Sequence, residues 1–316
     1  MPSGHRRFRL IKWRPFHFPM YFLLRCLAAA AAMVPAEALR PIARGVGAVL
    51  RWVDRKHVKR ARKNLLHIGF DGTPETLIRS VYEHLGLSAM EMVVLPRLMR
   101  FRGVTPYVKF HHLERLDREW ASGKGVIVVI GHLGNWELAG LAITMLGYPL
   151  RSLARPLDNP YLERWVRETR QSTGQQIISR HGALREMVEV LRRKELLAIQ
   201  VDQDAKTSGV VVPFLGRPAS TVRSPAVLSL KYGVPVLPVE IYRDEKGLHH
   251  ADFSPPLRPE EYVAHDDPAL SLTRELSLRF EEFVRRHPAQ WLWLHPRWRS
   301  VTRGKVRAES AKAMNG

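Results

Sequence analysis

The sequence predicts a single α/β domain in which a mostly parallel central sheet is flanked by helices, with an additional apolar helix at the N-terminus. Short β-branched runs without polar residues, typical of strands buried on both faces, alternate with segments whose apolar residues recur at helical spacing. This alternation favours parallel strands, because each parallel connection needs a crossover. The 316 residues, 45% of them hydrophobic, suffice for one large core.

The N-terminal region, residues 1–50, is predicted to anchor the chain to a membrane. A basic stretch at 5–14 leads into apolar runs between Phe16 and Val34. These runs are shorter than the roughly 20 residues that cross a bilayer, and Arg25 interrupts them, so we expect an interfacial or partly inserted anchor. A cleaved signal peptide is the alternative, although no small-x-small cleavage site precedes a mature domain.

The net charge of +20 at pH 7 requires an anionic partner, and nucleic acid and an anionic membrane are the two candidates. The basic flank beside the apolar runs favours the membrane, so nucleic acid is not the expected partner. A second basic block at 51–63 is interpreted first as a site for lipid head groups; the alternatives are that it binds nucleic-acid phosphates or only solvates a helix face. The single Cys26 excludes an internal disulfide and favours a reducing compartment, with the basic flank on the cytoplasmic side.

The folded domain is predicted to occupy residues 51–300, followed by a disordered polar tail at 301–316. Val126 to Ile130 has the pattern of a buried strand, and a helix is predicted from Trp136 onward with Asn135 as its N-cap. Further strands are predicted at 149–154, 175–178, 196–204 and 234–242, helices at 161–173, 182–194, 218–232 and 270–286, and an extended segment at 209–216.

His132 and Glu137 are the first candidate catalytic pair, since they flank the turn between this strand and this helix, where ligand sites of open α/β sheets gather. On one continuous helix their side chains would point about 140° apart, so the pair requires His132 to precede the helix. We then expect Glu137 to accept the Nδ1–H of His132, which leaves Nε2 to act as a general base. The alternative is that His132 packs under a loop and Glu137 is an ordinary first-turn acid.

Two other kinds of chemistry are not expected. His111-His112 and His249-His250 are adjacent pairs that point apart on a strand and have no well-spaced Cys or carboxylate, so no metal site is predicted. No Gly-x-Ser-x-Gly elbow is present, which argues against a serine acyl-enzyme. The aromatic and arginine-rich segment 291–299 either packs in the core or contacts bases or a lipid interface.

Five segments in a fixed order connect this sequence to a known family. They are Gly131-His-Leu-Gly-Asn-Trp-Glu137, Ala154-Arg-Pro-Leu-Asp-Asn-Pro160, Asp202-Gln203, Val212-Pro-Phe-Leu-Gly-Arg-Pro-Ala219 and Gln290-Trp-Leu-Trp-Leu-His-Pro-Arg-Trp298. Together they resemble the bacterial lipid A secondary acyltransferases (lauroyl and myristoyl transferases), a family that also includes mycobacterial phosphatidylinositol mannoside acyltransferases. Each segment alone arises often by chance, but all five over residues 20 to 299 make a specific match.

The resemblance implies a glycerolipid-acyltransferase-like fold and an enzyme at the cytoplasmic face of the inner membrane. Such an enzyme moves a fatty acyl chain from a thioester of acyl carrier protein or coenzyme A to a hydroxyl of a lipid A precursor, without a cofactor or a covalent enzyme intermediate. The resemblance implies that His132 is the base, Glu137 its partner and Arg155 a further catalytic residue. The residues that it implies for substrate binding are Asn135, Asn159, Asp202 and Gln203.

The oxyanion donors remain open at this point. Arg155 and the amides around Gly134 and Asn135 are the candidates, and the alternative for Arg155 is a structural ion pair with Asp202 or Asp158.

The acceptor is also open. Asp204 and Lys206 follow the Asp-Gln step, where the family often has small polar residues. A glycolipid or a lysophospholipid is the alternative acceptor. A non-catalytic basic protein that binds membranes or nucleic acid is the alternative from another functional class.

Overall fold

The computed structural model describes residues 5–32, 36–154, 156–179, 182–304 and 306. Arg155 and most of the predicted disordered tail, 305 and 307–316, lie outside the described residues. The helices are α1 (His5–Ala32), α2 (Ala36–Val53), α3 (Arg55–Ile68), α4 (Pro74–Arg102), α5 (Leu113–Ala121), α6 (Trp136–Met145), α7 (Pro160–Gln171), α8 (Ala183–Arg192), α9 (Ser224–Tyr232), α10 (Pro268–Arg286) and α11 (Arg299–Thr302).

The strands form one large sheet and one hairpin. Their bounds are β1 (Val108–His111), β2 (Val126–Ile130), β3 (Leu150–Ala154), β4 (Gln176–Ser179), β5 (Leu196–Gln200), β6 (Val210–Phe214), β7 (Arg217–Thr221), β8 (Val236–Arg243) and β9 (His249–Phe253). Within the described residues the large sheet has seven strands in the order β1-β9-β8-β2-β5-β3-β4. Strands β4, β3, β5, β2 and β8 are parallel, while β9 is antiparallel to β8 and parallel to β1. The predicted single α/β domain with a mostly parallel sheet is confirmed.

Strand β2 is buried on both faces, as its uninterrupted apolar run predicts. Ile127 and Val129 belong to the hydrophobic cluster on one side of the sheet, and Val126 and Val128 belong to the cluster on the other. Successive strand residues point to opposite faces, so a strand between two helical layers needs apolar residues at every position. The neighbouring strand β5 has the same burial, and together the two strands form the centre of the domain.

One predicted element differs from the structure. Residues 218–232 were predicted as helix, but the first part of this segment belongs to β7, which pairs antiparallel with β6, and α9 begins only at Ser224. Leu215 and Gly216 connect the two strands with positive φ angles of 51° and 70°. Two consecutive positive φ angles make a tight hairpin turn that matches the twist of the strands. This hairpin turn therefore outweighs the apolar spacing that follows it.

The N-terminal helices lie outside the sheet layers. Helix α1 contacts α7 through the rings of Phe18 and Tyr161, whose centroids lie 5.5 Å apart. Helix α2 packs on α4, where Gly86 lies so close to the backbone of Ala43 that a side chain would collide with its carbonyl. In the described part of the chain, no helix combines the length and the apolar character needed to cross a bilayer.

Candidate active site

The candidate site lies at the carboxyl ends of β2 and β5, which are neighbours in the sheet. Ile130 pairs in register with Gln200, and the amide of Val201 donates to the carbonyl of Ile130 at 3.2 Å. The two chains therefore leave the sheet side by side. This adjacency brings His132, two residues beyond β2, next to Asp202, two residues beyond β5.

Asp202 is the hydrogen-bonding partner of His132. Its Oδ1 lies 2.7 Å from Nδ1 of His132, while its Oδ2 accepts the backbone amide of His132 at 2.7 Å and the indole Nε1–H of Trp291 at 2.8 Å. The carboxylate is only 3% exposed. Burial by itself raises the pKa of Asp202, but the imidazole and these hydrogen bonds outweigh burial and lower the pKa to about 2. Asp202 is therefore ionised at neutral pH.

This partnership determines which nitrogen of His132 is free to act. An ionised carboxylate only accepts hydrogen bonds, so Nδ1 of His132 carries the hydrogen and Nε2 presents a lone pair. The side-chain amide of Gln203 lies 3.1 Å from this Nε2 and donates to it. His132 is consequently in the tautomer that a general base requires.

Glu137 does not contact the imidazole nitrogen, so the predicted hydrogen bond between Glu137 and His132 is wrong. Its two carboxylate oxygens instead accept Nε and Nη2 of Arg170 at 2.7 and 2.6 Å. The physical reason is that Glu137 lies in the first turn of α6, beside α7 where Arg170 lies, whereas the His132 imidazole turns toward β5. A catalytic role for Glu137 stays a prediction.

A narrow apolar cavity of about 60 Å³ lies beside Trp136 and Glu137, at the start of α6. Trp136, whose ring centroid is 5.0 Å from that of His132, forms part of its lining. Most of the wall is aliphatic and comes from the central strands and α6, whereas the Glu137–Arg170 pair and Gln175 add polar groups. The aliphatic lining residues are Val128, Ile130, Ala139, Gly140, Ile143, Leu150, Leu153, Ala154, Ala198, Val239, Ile241 and Ala251. The lining is chemically suited to a hydrocarbon chain.

A buried polar cluster contacts the turn that carries His132. Arg243 donates to both carboxylate oxygens of Glu91 at 2.7 and 2.5 Å, and its Nη1 lies 3.0 Å from Nδ1 of His84. The other nitrogen of His84 lies 3.1 Å from the carbonyl of Gly134. Burial, and then the charge of Arg243, lower the pKa of His84 to about 3, so His84 is neutral. Sequence reasoning missed these residues, because they come from α4 and β8 and carry no local signal.

The turn itself leaves little freedom at Gly134 and Asn135. The side-chain oxygen of Asn135 accepts the amide of Leu138 at 3.2 Å, which confirms the predicted N-cap, and its side-chain nitrogen donates to Glu91 at 2.9 Å.

Gly134 has φ of 59°, and a side chain there would overlap the carbonyl of Ile241. The Gly134 amide donates to the carbonyl of Gln290 at 3.1 Å, so it is not a free oxyanion donor as predicted. Substrate binding by Asn135 stays a prediction.

Asn159 and Arg155 belong to the segment after β3. The Asn159 carbonyl oxygen caps α7 by accepting the amides of Tyr161 and Leu162, and its amide nitrogen donates to the backbone of His17 at 3.0 Å. These contacts engage both ends of the Asn159 amide, and its substrate contact stays a prediction. Arg155 lies outside the described residues, and neither its catalytic role nor its alternative ion pairs are tested.

The segment 290–298 forms the other wall of the site. Trp291, Trp293 and Trp298 are each 2% exposed, which confirms core packing for these aromatics. Nε2 of His295 accepts the amide of Asp204 at 3.0 Å, and burial lowers the pKa of His295 to about 4. The carboxylate of Asp204 accepts the amide and hydroxyl of Ser300 at 3.1 and 2.7 Å. Asp204, which departs from the family pattern, is thus held by protein contacts.

Comparison with known proteins shows the family of this chain. The sequence profile of the bacterial lipid A biosynthesis acyltransferases matches residues 12–300, and the chain belongs to that family. The chain is 27% identical over 263 residues to the lipid A biosynthesis palmitoleoyltransferase of Escherichia coli K12, covering 81% of this chain and 83% of that protein.

Two further relatives match a shorter part. The chain is 27% identical over 190 residues to a phosphatidylinositol mannoside acyltransferase of Mycobacterium tuberculosis, covering 59% of this chain and 58% of that protein. It is 26% identical over 190 residues to a lipid A biosynthesis acyltransferase of Haemophilus influenzae, covering 59% of this chain and 57% of that protein. In these matches the chain therefore spans less than two thirds of the relative's length.

Proposed function

We propose that this protein transfers a fatty acyl chain from a thioester donor to a hydroxyl of a lipid A precursor, with His132 as the general base. The observation that carries the proposal is the His132–Asp202 pair, in which Nδ1 is held at 2.7 Å by a buried carboxylate while Nε2 remains the accepting nitrogen. The apolar cavity beside Trp136 supports a fatty acyl substrate. Membership of the acyltransferase family supports the same chemistry.

The chemistry proceeds in two steps without a covalent enzyme intermediate. Nε2 of His132 takes the proton of the acceptor hydroxyl as its oxygen bonds to the thioester carbonyl carbon, and Asp202 stabilises the imidazolium. The tetrahedral intermediate then collapses with cleavage of the carbon–sulfur bond. The thiolate leaves and receives its proton from His132, which restores the base. General-base assistance of this kind contributes about 10²–10⁴-fold to the rate.

The donor and the acceptor are proposed by class. Acyl carrier protein or coenzyme A supplies the thioester, and the net charge of +20 favours either of these acidic carriers. A lipid A precursor is the first acceptor, since relatives bearing that name match up to 83% of their length. A glycolipid is the second, because phosphatidylinositol mannoside acyltransferases also match this chain. No cofactor or metal is required by this scheme.

The N-terminal helices are proposed to rest on the cytoplasmic face of the inner membrane rather than to cross it. Phe16, Phe22 and Leu27 of α1 are 57–64% exposed, and Trp52 and Val53 at the end of α2 are 72% and 67% exposed. Cationic Arg51, Arg55, Lys56, Lys59 and Lys63 lie in or next to this region. Exposed apolar side chains beside cations are typical of helices that lie in an anionic lipid interface.

The test is mass spectrometry of lipids after incubation of the protein in anionic vesicles with acyl carrier thioester or acyl-coenzyme A. Lipid A precursor, phosphatidylinositol mannoside and lysophospholipid are offered in separate reactions. We expect the lipid A precursor to gain one acyl group with wild-type protein and none with the His132→Ala variant. Absence of product from every acceptor would overturn the proposal, and product from the mannoside alone would reassign the acceptor.

Vesicle flotation tests the membrane contact separately. Wild-type protein is expected to float with anionic vesicles, and a variant carrying Phe22→Ser and Trp52→Ser is expected to float less. Equal flotation of both proteins would refute the proposed contact surface.

A further inference from the structure

We propose that the side-chain amide of Gln203 is the oxyanion donor of the reaction, and that it reaches this position by leaving Nε2 of His132 when the acceptor hydroxyl binds. This inference rests on the proposed function and deepens it. It concerns a residue that the resemblance connects only with substrate binding.

The starting point is the place that Gln203 occupies. Its Nε2 lies 3.1 Å from Nε2 of His132, the nitrogen that must receive the proton. A hydroxyl oxygen that gives up its proton to this nitrogen must approach to about 2.6–3.2 Å. The acceptor oxygen and the Gln203 amide therefore compete for the same position, and binding of the acceptor displaces the amide.

The displaced amide remains next to the reacting carbon. The attacking oxygen and the oxyanion are bonded to the same carbon, so a donor that has just left the position of one lies within reach of the other. An oxyanion donor must come within about 2.7–3.1 Å of the developing charge. Rotation about the side-chain bonds of Gln203 is enough for this exchange, and no backbone movement is needed.

The backbone on both sides of Gln203 is fixed, which limits the motion to the side chain. Asp202 is held by His132 and Trp291, and Asp204 is held by Ser300. The carbonyl of Gln203 itself accepts Nη1 of the buried Arg297 at 3.3 Å. The fixed backbone therefore keeps the side-chain amide close to His132 while the side chain rotates.

Three other donors near His132 are engaged elsewhere in the described part of the chain. The backbone amide of His132 donates to Asp202 at 2.7 Å, and that of Gly134 donates to the carbonyl of Gln290 at 3.1 Å. The side-chain amide of Asn135 donates to Glu91 at 2.9 Å. Using any of these groups would break a contact that holds the turn, whereas the Gln203 amide is released by the substrate itself.

Steady-state kinetics of Gln203→Glu and Gln203→Met test the proposal. Both changes keep the side-chain length and remove the N–H donor, and the Met variant adds no charge. We expect kcat to fall about 10²–10³-fold, as for other single oxyanion donors, with KM for the thioester changed less than threefold. Gln171→Glu, at an exposed position at the end of α7, is the matched control and should retain wild-type kinetics.

Inhibitor binding provides a readout that altered folding or packing would not imitate. A trifluoromethyl ketone analogue of the acyl donor forms a charged tetrahedral adduct with a bound hydroxyl, whereas the corresponding thioether cannot. We expect the Gln203 variants to lose at least tenfold in affinity for the ketone and to bind the thioether like the wild type.

The experiments distinguish failure of this inference from failure of the proposed function. If the wild type is active and His132→Ala is inactive, but both Gln203 variants keep kcat within threefold and bind the ketone normally, Gln203 is not the donor. If the wild type transfers no acyl group to any acceptor, the proposed function itself fails. Equal weakening of ketone and thioether binding would indicate a purely structural role for Gln203 and would also overturn the inference.

Discussion

Asp202 and Glu137 are two carboxylates near the same histidine, and they differ in almost every property that matters for the site. Asp202 is 70 residues from His132 in sequence, yet it is buried and binds the imidazole at 2.7 Å. Glu137 is five residues away, yet it pairs with Arg170 and lines the apolar cavity. The comparison teaches that adjacent parallel strands bring groups together more effectively than short spacing across a turn.

The largest expected effect comes from Asp202→Asn. The amide keeps the shape of the side chain but can donate to Nδ1, which would place the imidazole hydrogen on Nε2 and remove the lone pair that acts as base. We expect kcat to fall about 10⁴-fold, as in hydrolase triads with the same change. Single-turnover assays with the wild type as reference check this. Activity within tenfold of the wild type would show that the Asp202 carboxylate is not needed to orient His132.

Glu137→Gln is expected to act mainly on stability. The change leaves the guanidinium of Arg170, with a side chain only 15% exposed, without its charged partner. We expect the free energy of unfolding to fall by about 1.5–3 kcal/mol, the range for a lost hydrogen bond to a charged group, since the pair is part-buried.

The double variant Glu137→Gln, Arg170→Gln sharpens this test, since it removes both charges. Urea unfolding should show that the double variant recovers part of the lost stability, and its specific activity per folded molecule should exceed that of Glu137→Gln. If the double variant is no more stable and no more active, Glu137 acts in a way that does not pass through Arg170.

Trp291→Phe removes one hydrogen bond on the Asp202 side and keeps an aromatic ring in the core. The carboxylate loses the indole donor at 2.8 Å, so the pKa of Asp202 rises from about 2 toward its ordinary value. Asp202 stabilises the fold above pH 3.8 and loses this contribution as the pH falls toward 2, so the variant should lose stability at neutral pH by about 2 kcal/mol. Thermal unfolding of the variant and the wild type at pH 7 and at pH 3 checks this, since the difference in stability should be larger at pH 7.

His84 is expected to affect only the pH dependence of stability, and to leave stability at pH 7 and above nearly unchanged by this titration. Its pKa is about 3 in the folded chain and 6.5 otherwise, so below pH 6.5 the unfolded chain binds a proton that the native chain does not. Stability therefore falls as the pH decreases from 6.5, by up to about 1.4 kcal/mol per pH unit for this group. The variant His84→Gln retains a donor and an acceptor. Its free energy of unfolding, measured by urea unfolding between pH 7 and pH 5, should depend less steeply on pH, by the equivalent of one bound proton. An unchanged slope would contradict the neutral state of His84.

Several local features were predictable because they depend on short segments. The strand Val126–Ile130 and the helix beginning at Trp136 follow from apolar periodicity and from the capping side chain of Asn135. The bounds of β5 and α10 also agree with prediction to within a few residues. The hairpin strand β7 was missed, since its turn depends on the positive φ of Leu215, a residue that rarely adopts that conformation.

The catalytic geometry was only partly predictable. His132 and Asp202 were both singled out, but their pairing depends on β2 and β5 being neighbours, and periodicity carries no information on strand order. The cluster of His84, Glu91 and Arg243 was not anticipated, because its members come from α4 and β8, and each is an ordinary polar residue in its own segment.

The sequence by itself determined the α/β class, the turn that carries His132 and, through its ordered motifs, the acyltransferase family. These depend on local periodicity, capping and residue order, which are present in the chain before it folds. Only the tertiary structure decided that Asp202 contacts Nδ1 of His132, that Glu137 binds Arg170 and that the Gln203 amide lies beside Nε2 of His132. These contacts follow from the order of strands in the sheet and from the packing of α6 against α7, both of which are settled by burial of the whole core rather than by any single segment.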